Sequence, residues 1–393
     1  MKKILKIFVL LLFLIPLTVN AEDFDIFSNN VIMINLKNDE IIYEKNKEEI
    51  INIASMQKVM TTITAIENIN DFEEKLTIES GMFSGLDNDL LVLGLYAGEV
   101  VTYNDLLYAT MLMSAADAAY ALGYYISGSE EEFVKLMNKK AEELGLNNSV
   151  FMNTTGLDAE GQHSTVEDIA KLYRYALNNK DFKRIVSTNR YTTSDGAFEF
   201  TGPVETAHII GMDYFLNGKT GFTEGAGLCL VSSANFNDVD YILVTAGADY
   251  NYKYQNFYDQ KYLYDFYKDN YSFKTLVKKK DIITTIKTMY DDSVDIKASR
   301  DVTLYLNNNI TEKDIDIVYE GEERLERGVN EGDKIGKYQI KYDDIVLYEE
   351  DVLSPVSVTF KLKPIFIIVL AVILLSIILR IIFKKRRRKR RIA

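Results

Sequence analysis

Residues 52–61, NIASMQKVMT, place Ser55 and Lys58 three apart at the head of an apolar-periodic run. Met56, Val59, Met60, Ile63 and Ile66 recur at helical spacing, which predicts a helix over 55–68. Residues three apart on a helix are neighbours, so an uncharged Lys58 can accept the Ser55 proton and leave Ser55 as a nucleophile. Free backbone N–H groups at a helix start also suit an oxyanion. A purely structural account competes, with Ser55 as an N-cap and Lys58 as a solvated charge. S-x-x-K alone decides nothing, because the spacing recurs by chance in chains of this size.

Its partner lies in residues 216–234, LNGKTGFTEGAGLCLVSSA. Lys219, Thr220 and Gly221 combine a cation, a hydroxyl and a glycine that lets another backbone approach, at the mouth of an expected strand. Such a strand edge can pair with an extended peptide while Lys219 and Thr220 hold its terminal carboxylate. A lysine in a turn would account for K-T-G by itself, but not for its occurrence together with S-x-x-K.

The rest of the chain says where this chemistry takes place. At 393 residues and 47 % hydrophobic content it has room for two or three domains with a real core, which excludes a disordered protein. Residues 1–21 run from Lys2, Lys3 and Lys6 through an apolar block to Val19-Asn20-Ala21, the pattern of a secretory signal peptide. Pro16 and the short apolar core argue against an uncleaved anchor. Residues 365–383 are apolar on every face apart from Ser376 and Arg380. At 1.5 Å rise they extend about 28 Å, the length of a transmembrane helix. Arg380 can snorkel, and the basic tail, 384–393, belongs in the cytoplasm by the positive-inside rule. The part between is then exported and faces outward.

Of 45 Lys and Arg, three fall in 1–21 and nine in 380–391, leaving 33 against 58 Asp and Glu in between, a charge of about −25. A nucleic-acid partner is excluded on that balance. Cys229 is alone, so no intrachain disulfide forms, and it reads as a small buried hydrophobe. With only His163 and His208, a His-rich metal site is not expected, and no cofactor is called for.

A hairpin is predicted around Lys37-Asn38-Asp39, followed by helices over 55–68, 104–125 and 130–144 with Gly145 as C-cap. Adjacent strands are expected at GLCLVSSANF and DYILVTAGADY. This is an α/β (α+β) domain over 22–271. Short alternating runs then predict a small all-β domain over 272–355, with strands at DIITTIKTMY, VTLYLNN, DIDIVYEG, KIGKYQIKY and DIVLYEEDV.

Four segments, IASMQKVMT, LLYATMLMSAADAAYAL, AEELGLNNSVFMNTTGLDAEGQHSTVEDIA and KTGFTEGAGLCLVSSA, follow one another in an order and spacing that resemble the low-molecular-mass penicillin-binding proteins, the serine-type D-alanyl-D-alanine carboxypeptidases. The similarity covers residues 24–271, and the β domain and C-terminal anchor fit the same architecture. The resemblance implies a penicillin-binding/β-lactamase-like fold, with Ser55 as acylated nucleophile, Lys58 as its base and Ser114 as the hydroxyl that relays protons to the leaving group. It implies Lys219, Thr220 and Gly221 as the carboxylate-binding strand, with the backbone N–H groups of Ser55 and Phe222 as the oxyanion hole. The implied partners are a peptidoglycan stem peptide ending in D-Ala-D-Ala, β-lactam antibiotics and the cell membrane.

Two departures stand out. The middle motif is usually S-x-N, whereas here Ser114-Ala115-Ala116 lacks the amide and keeps the neighbouring Asp117. Members often carry an arginine beyond K-T-G, but none occurs between Arg190 and Arg300, which leaves Lys253 as the nearest substitute. A catalytically weak wall-binding protein with the same groove is therefore the alternative. Glu143 in ELGLN mimics a β-lactamase pattern, yet Gly145 marks a helix end there. A Ser-His-Asp hydrolase using His163 lacks the G-x-S-x-G elbow.

Overall fold

In the computed structural model, which describes residues 24–84, 86, 91–359 and 364–389, the apolar alternation of the opening hairpin forms two paired strands. The signal segment 1–21 and the end of the basic tail lie outside the described residues. Strands β1 (Asn30–Asn35), β2 (Glu40–Lys45), β3 (Phe215–Thr223), β4 (Gly227–Phe236) and β5 (Val239–Ala248) form one antiparallel sheet in the order β2-β1-β5-β4-β3. An early strand thus lies beside the last one, and β3, which carries K-T-G, is left at an edge.

Eight helices accompany the sheet: α1 (Lys58–Ile66), α2 (Tyr103–Tyr108), α3 (Ala116–Ser127), α4 (Glu130–Leu144), α5 (Val166–Leu177), α6 (Lys180–Val186), α7 (Pro203–Ile209) and α8 (Gln255–Asn270). Successive strand residues point to opposite faces, and the sheet uses both. Ser233 donates to Asn217, which also accepts the hydroxyl of Tyr173 on α5. Its neighbour Ser232 faces the other way, to Gln260 and Tyr264 on α8.

The apolar stripe of 55–68 predicts a helix with one buried face. Instead every residue of α1 is buried, because α3, α4 and α5 enclose it. Among the polar residues of its other side, Thr61 Oγ1 donates to the Thr154 carbonyl at 2.8 Å, while the buried Thr62 hydroxyl has no partner among the described residues.

The expected continuous helix over 104–125 is broken. After α2 a π-helical turn (Ala109–Met113) leads to Ser114 in the left-handed region at φ 66°, and the chain restarts as α3. The break is held from outside the helix. Asp117 accepts the N–H groups of Leu93, Gly94 and Leu95 at 2.8 to 3.0 Å, and the Ala116 N–H donates to the Leu91 carbonyl. Gly145 ends α4 at φ 67° as expected, and Thr165 caps α5.

From Tyr271 the chain forms a second compact unit. Tyr271–Val277 pairs with Val302–Asn307, Ile282–Thr288 lies between Ser293–Lys297 and Arg324–Leu325, and Lys334–Tyr342 lies between Ile315–Gly321 and Ile345–Leu353. Ile286, Ile296, Leu325, Tyr338 and Ile340 are among its core residues. It is all-β as expected, with the strands Tyr271–Val277, Ser293–Lys297 and Arg324–Leu325 added to the five predicted. The terminal helix α9 (Pro364–Lys389) contains Phe366–Lys385, long and apolar enough to be a candidate membrane span.

Replacing Asp117 by Ala strands three backbone N–H groups, and hydrogen bonds to a charged acceptor are worth about 1.5 to 3 kcal/mol each. Urea unfolding of Asp117→Ala is expected to show a loss of about 3 kcal/mol or more in the first unit. A change under about 0.5 kcal/mol would mean that the break in the helix does not need this carboxylate.

Candidate active site

Ser55 lies in a 3-10 turn (Ala54–Gln57) that runs directly into α1. The residue before it, Ala54, has φ 46°, left-handed backbone that a residue with a Cβ rarely adopts. Close packing holds it there. A Cβ on Gly156 would stand 2.3 Å from the Ala54 carbonyl oxygen, and Gly156 itself has φ 80°. A Cβ on Gly221 of β3 would meet Ala54 Cβ, the Ile53 carbonyl oxygen and the Met56 nitrogen, each at 3.1 Å. These two glycines let a loop and a strand close on the turn that carries Ser55.

The structural account of this motif fails at both residues. Ser55 caps nothing, since neither the 3-10 turn nor α1 has a side-chain cap. Lys58 is no solvated charge, being 2 % exposed. Its Nζ donates to Ser55 Oγ at 3.1 Å and also to the Thr155 carbonyl. Burial disfavours the ammonium form and pulls Lys58 down to about 7.

A second buried lysine faces the same space. Asn217, Lys219 and Gly221 alternate onto the helical side of β3, which puts Lys219 wholly inside. Its Nζ donates to Ser114 Oγ and to the Thr220 carbonyl, both at 2.9 Å. Burial, and then the nearby Lys58 charge, push it well below the usual lysine range. Ser114 can meet it because the left-handed turn between α2 and α3 aims the hydroxyl at β3. On the outer side of β3, Thr220 is half-buried and Phe222 is exposed, its ring edge-on to Tyr250 at 5.4 Å.

Ser55, Lys58, Ser114, Thr220, Gly221 and Phe222 line one open cleft of about 1130 Å³, with Lys219 reaching Ser114 at its wall. All seven residues singled out in the sequence therefore come together. Ala116 also lines the cleft, and the Thr155 carbonyl supplies Lys58 with a hydrogen-bond acceptor. Lys253 lines it too, exposed and 4.6 Å above the Tyr254 ring.

Sequence reasoning did not assign the loop Asn153-Thr154-Thr155-Gly156 to the site. Asn153 Oδ1 accepts from the Thr155 and Gly156 N–H groups at 3.1 and 2.7 Å, folding the loop so that its carbonyl reaches Lys58. An Asn with a Gly three residues on was the available signal. Other residues are placed elsewhere. Glu143 pairs with Lys140 at 2.9 Å on α4, outside the cleft lining, and His163 Nδ1 contacts the Gly161 carbonyl. Cys229 is fully buried, and burial pushes its thiol up to about 12.

A serine hydroxyl against a buried lysine of lowered basicity, beside an open strand edge, defines a serine hydrolase of the penicillin-binding fold. The chain belongs to the D-alanyl-D-alanine carboxypeptidase family, peptidase S11, whose model matches residues 17–250. Residues 271–359 match the C-terminal domain of penicillin-binding protein 5. Similar proteins include the D-alanyl-D-alanine carboxypeptidase DacF of Bacillus subtilis (strain 168), 28 % identical over 335 residues, 83 % of this chain and 85 % of the relative. Among solved structures, the D-alanyl-D-alanine carboxypeptidase DacD from Francisella tularensis superposes with a TM-score of 0.70 at 19 % identity, over 87 % of this chain and 96 % of that one, a likeness of fold. Penicillin-binding protein D2 from Listeria monocytogenes, in its cefotaxime-bound form, gives 0.55 at 26 % identity over 62 % of this chain and 98 % of its own.

Because an added Cβ at Gly156 must displace the turn that carries Ser55, Gly156→Ala is expected to slow acylation by benzylpenicillin about 100-fold, the cost of misplacing a reacting atom by about 1 Å. Stopped-flow acylation at the wild-type rate would show that the contact with Ala54 does not set the Ser55 position.

Proposed function

We propose that this chain trims the terminal D-alanine from peptidoglycan stem peptides through an acyl-enzyme on Ser55, and that β-lactams acylate the same hydroxyl. The observation that carries the reading is the 3.1 Å contact between Ser55 Oγ and a Lys58 that burial brings to about 7. At neutral pH a substantial fraction of such a lysine is an amine able to take the serine proton.

The stem peptide adds to the free edge of β3 as an extra strand. Its terminal carboxylate lies near Thr220, Lys219 and Lys253, the last being the exposed cation among the described residues that line the cleft. A carboxylate beside Lys219 favours its charged form, and that charge in turn favours neutral Lys58. Ser55 Oγ then bonds to the carbonyl carbon of the penultimate D-alanine as its proton moves to Lys58. The oxyanion is received by the backbone N–H groups of Ser55 and Phe222. As the C–N bond breaks, the proton passes through Ser114 to the departing amine, and water hydrolyses the ester. Removing the last D-alanine removes the peptide bond that cross-linking would exchange, so the activity limits cross-links.

In this reading residues 1–21 direct export, residues 22–271 and 272–355 are the catalytic and β domains, and 365–383 span the membrane. The catalytic domain then faces outward and residues 384–393 lie in the cytoplasm. Peptidoglycan lies on that outer side, where an enzyme tethered by α9 would meet it.

Release of D-alanine from a soluble pentapeptide tests this. Wild type is expected to release it, Ser55→Ala to fall to background, and Lys253→Ala to raise KM about three- to tenfold with little change in kcat, as for an exposed charge contact. Release undiminished in Ser55→Ala would refute the acyl-enzyme, and an unchanged KM would remove Lys253 from the carboxylate site.

A further inference from the structure

The chain has 26 tyrosines and no tryptophan, and five of those tyrosines stand exposed within thirteen residues. Tyr250, Tyr252, Tyr254, Tyr258 and Tyr262 are between 39 and 55 % exposed, and none of their hydroxyls has a hydrogen-bond partner among the described residues. Isolated exposed aromatics are ordinary, but a run of this density calls for a surface that they meet.

The run has a direction. Tyr250 and Tyr254 line the cleft just before α8 begins, and Tyr258 and Tyr262 follow on that helix four residues apart, on one side of it. From Tyr258 to Tyr262 the run continues about 6 Å along the helix axis. Two of the rings are fixed from below, Tyr254 edge-on to the buried Phe257 and Tyr262 edge-on to the buried Phe24. A rigid aromatic loses little conformational freedom on binding. Between Asp249 and Tyr262 the exposed positions hold no excess of either charge, so nothing there selects an anionic polymer or anionic headgroups.

We propose that this tyrosine stripe is a platform for the glycan strand of peptidoglycan. A pyranose ring has an apolar C–H face that stacks on a phenol ring and an edge of hydroxyl and amide groups that the free tyrosine hydroxyls can bond. The inference rests on the cleft receiving the stem peptide: that peptide hangs from a sugar chain, and the stripe continues from the cleft along the surface where such a chain would run. It makes the enzyme prefer peptides still attached to glycan.

The test compares the detergent-solubilised full chain with its Tyr258→Ala/Tyr262→Ala form, since neither residue lines the cleft. On a free pentapeptide the two should agree within about twofold, while on uncross-linked glycan strands bearing the same pentapeptide the variant should lose about tenfold in kcat/KM, as for two aromatic contacts. Equal loss or no loss on both substrates overturns the platform. Tyr258→Phe/Tyr262→Phe keeps the rings, so it should retain most of the glycan preference, and a loss as large as that of the alanine form would also overturn stacking. Co-sedimentation with peptide-free glycan strands should favour wild type over the alanine form even if no peptide is turned over, which separates failure of the platform from failure of the proposed reaction. Weaker binding of the variant to phosphatidylglycerol vesicles, with glycan binding unchanged, would replace the glycan by a membrane surface.

Discussion

The chemistry proposed for the first unit depends on two lysine side chains withdrawn from water, Lys58 on α1 and Lys219 on β3. A solvated lysine is protonated at neutral pH and cannot take a proton from serine. Burial lowers Lys58 because α1 is enclosed on all sides, and Lys219 because alternate residues of β3 face the helices. Each keeps hydrogen-bond acceptors, Ser55 Oγ and the Thr155 carbonyl for one, Ser114 Oγ and the Thr220 carbonyl for the other. The pair is thus desolvated without being orphaned, the condition under which burial shifts a proton equilibrium while the fold survives.

The backbone around this pair is shaped to keep it enclosed. Ala54 sits in left-handed backbone, Ser114 does the same at the break between α2 and α3, and Gly156 and Gly221 admit the neighbours that hold Ala54. Such strained residues persist where the surroundings over-determine them. Here the surroundings are the Asn153 loop, the edge strand and the Asp117 carboxylate with its ring of N–H groups.

Much of this was legible beforehand. The Ser55–Lys58 spacing, the strand at Lys219 and the Gly145 helix end depend on local chemistry, and local chemistry is written in the sequence. The break at Ser114 was not, because SAADAA is good helix-forming sequence and the groups that hold it open come from residues 91–95. Nor was the full burial of α1, since threonines read as a solvent face until other helices cover them. α8 was missed for a related reason: its tyrosines fall on buried and exposed faces alike and leave no clear apolar stripe.

The central claim is that burial makes Lys58 a base near neutral pH. It is met most directly by NMR titration of the full chain labelled at the lysine ε-carbons, with the Lys58 signal assigned by its loss in Lys58→Arg. A midpoint near 7 is predicted, the side chain being protonated below and a free amine above, so that acylation quickens as pH rises through that value. A midpoint near the ordinary lysine value of about 10.4, with acylation still fast at pH 7, would contradict it.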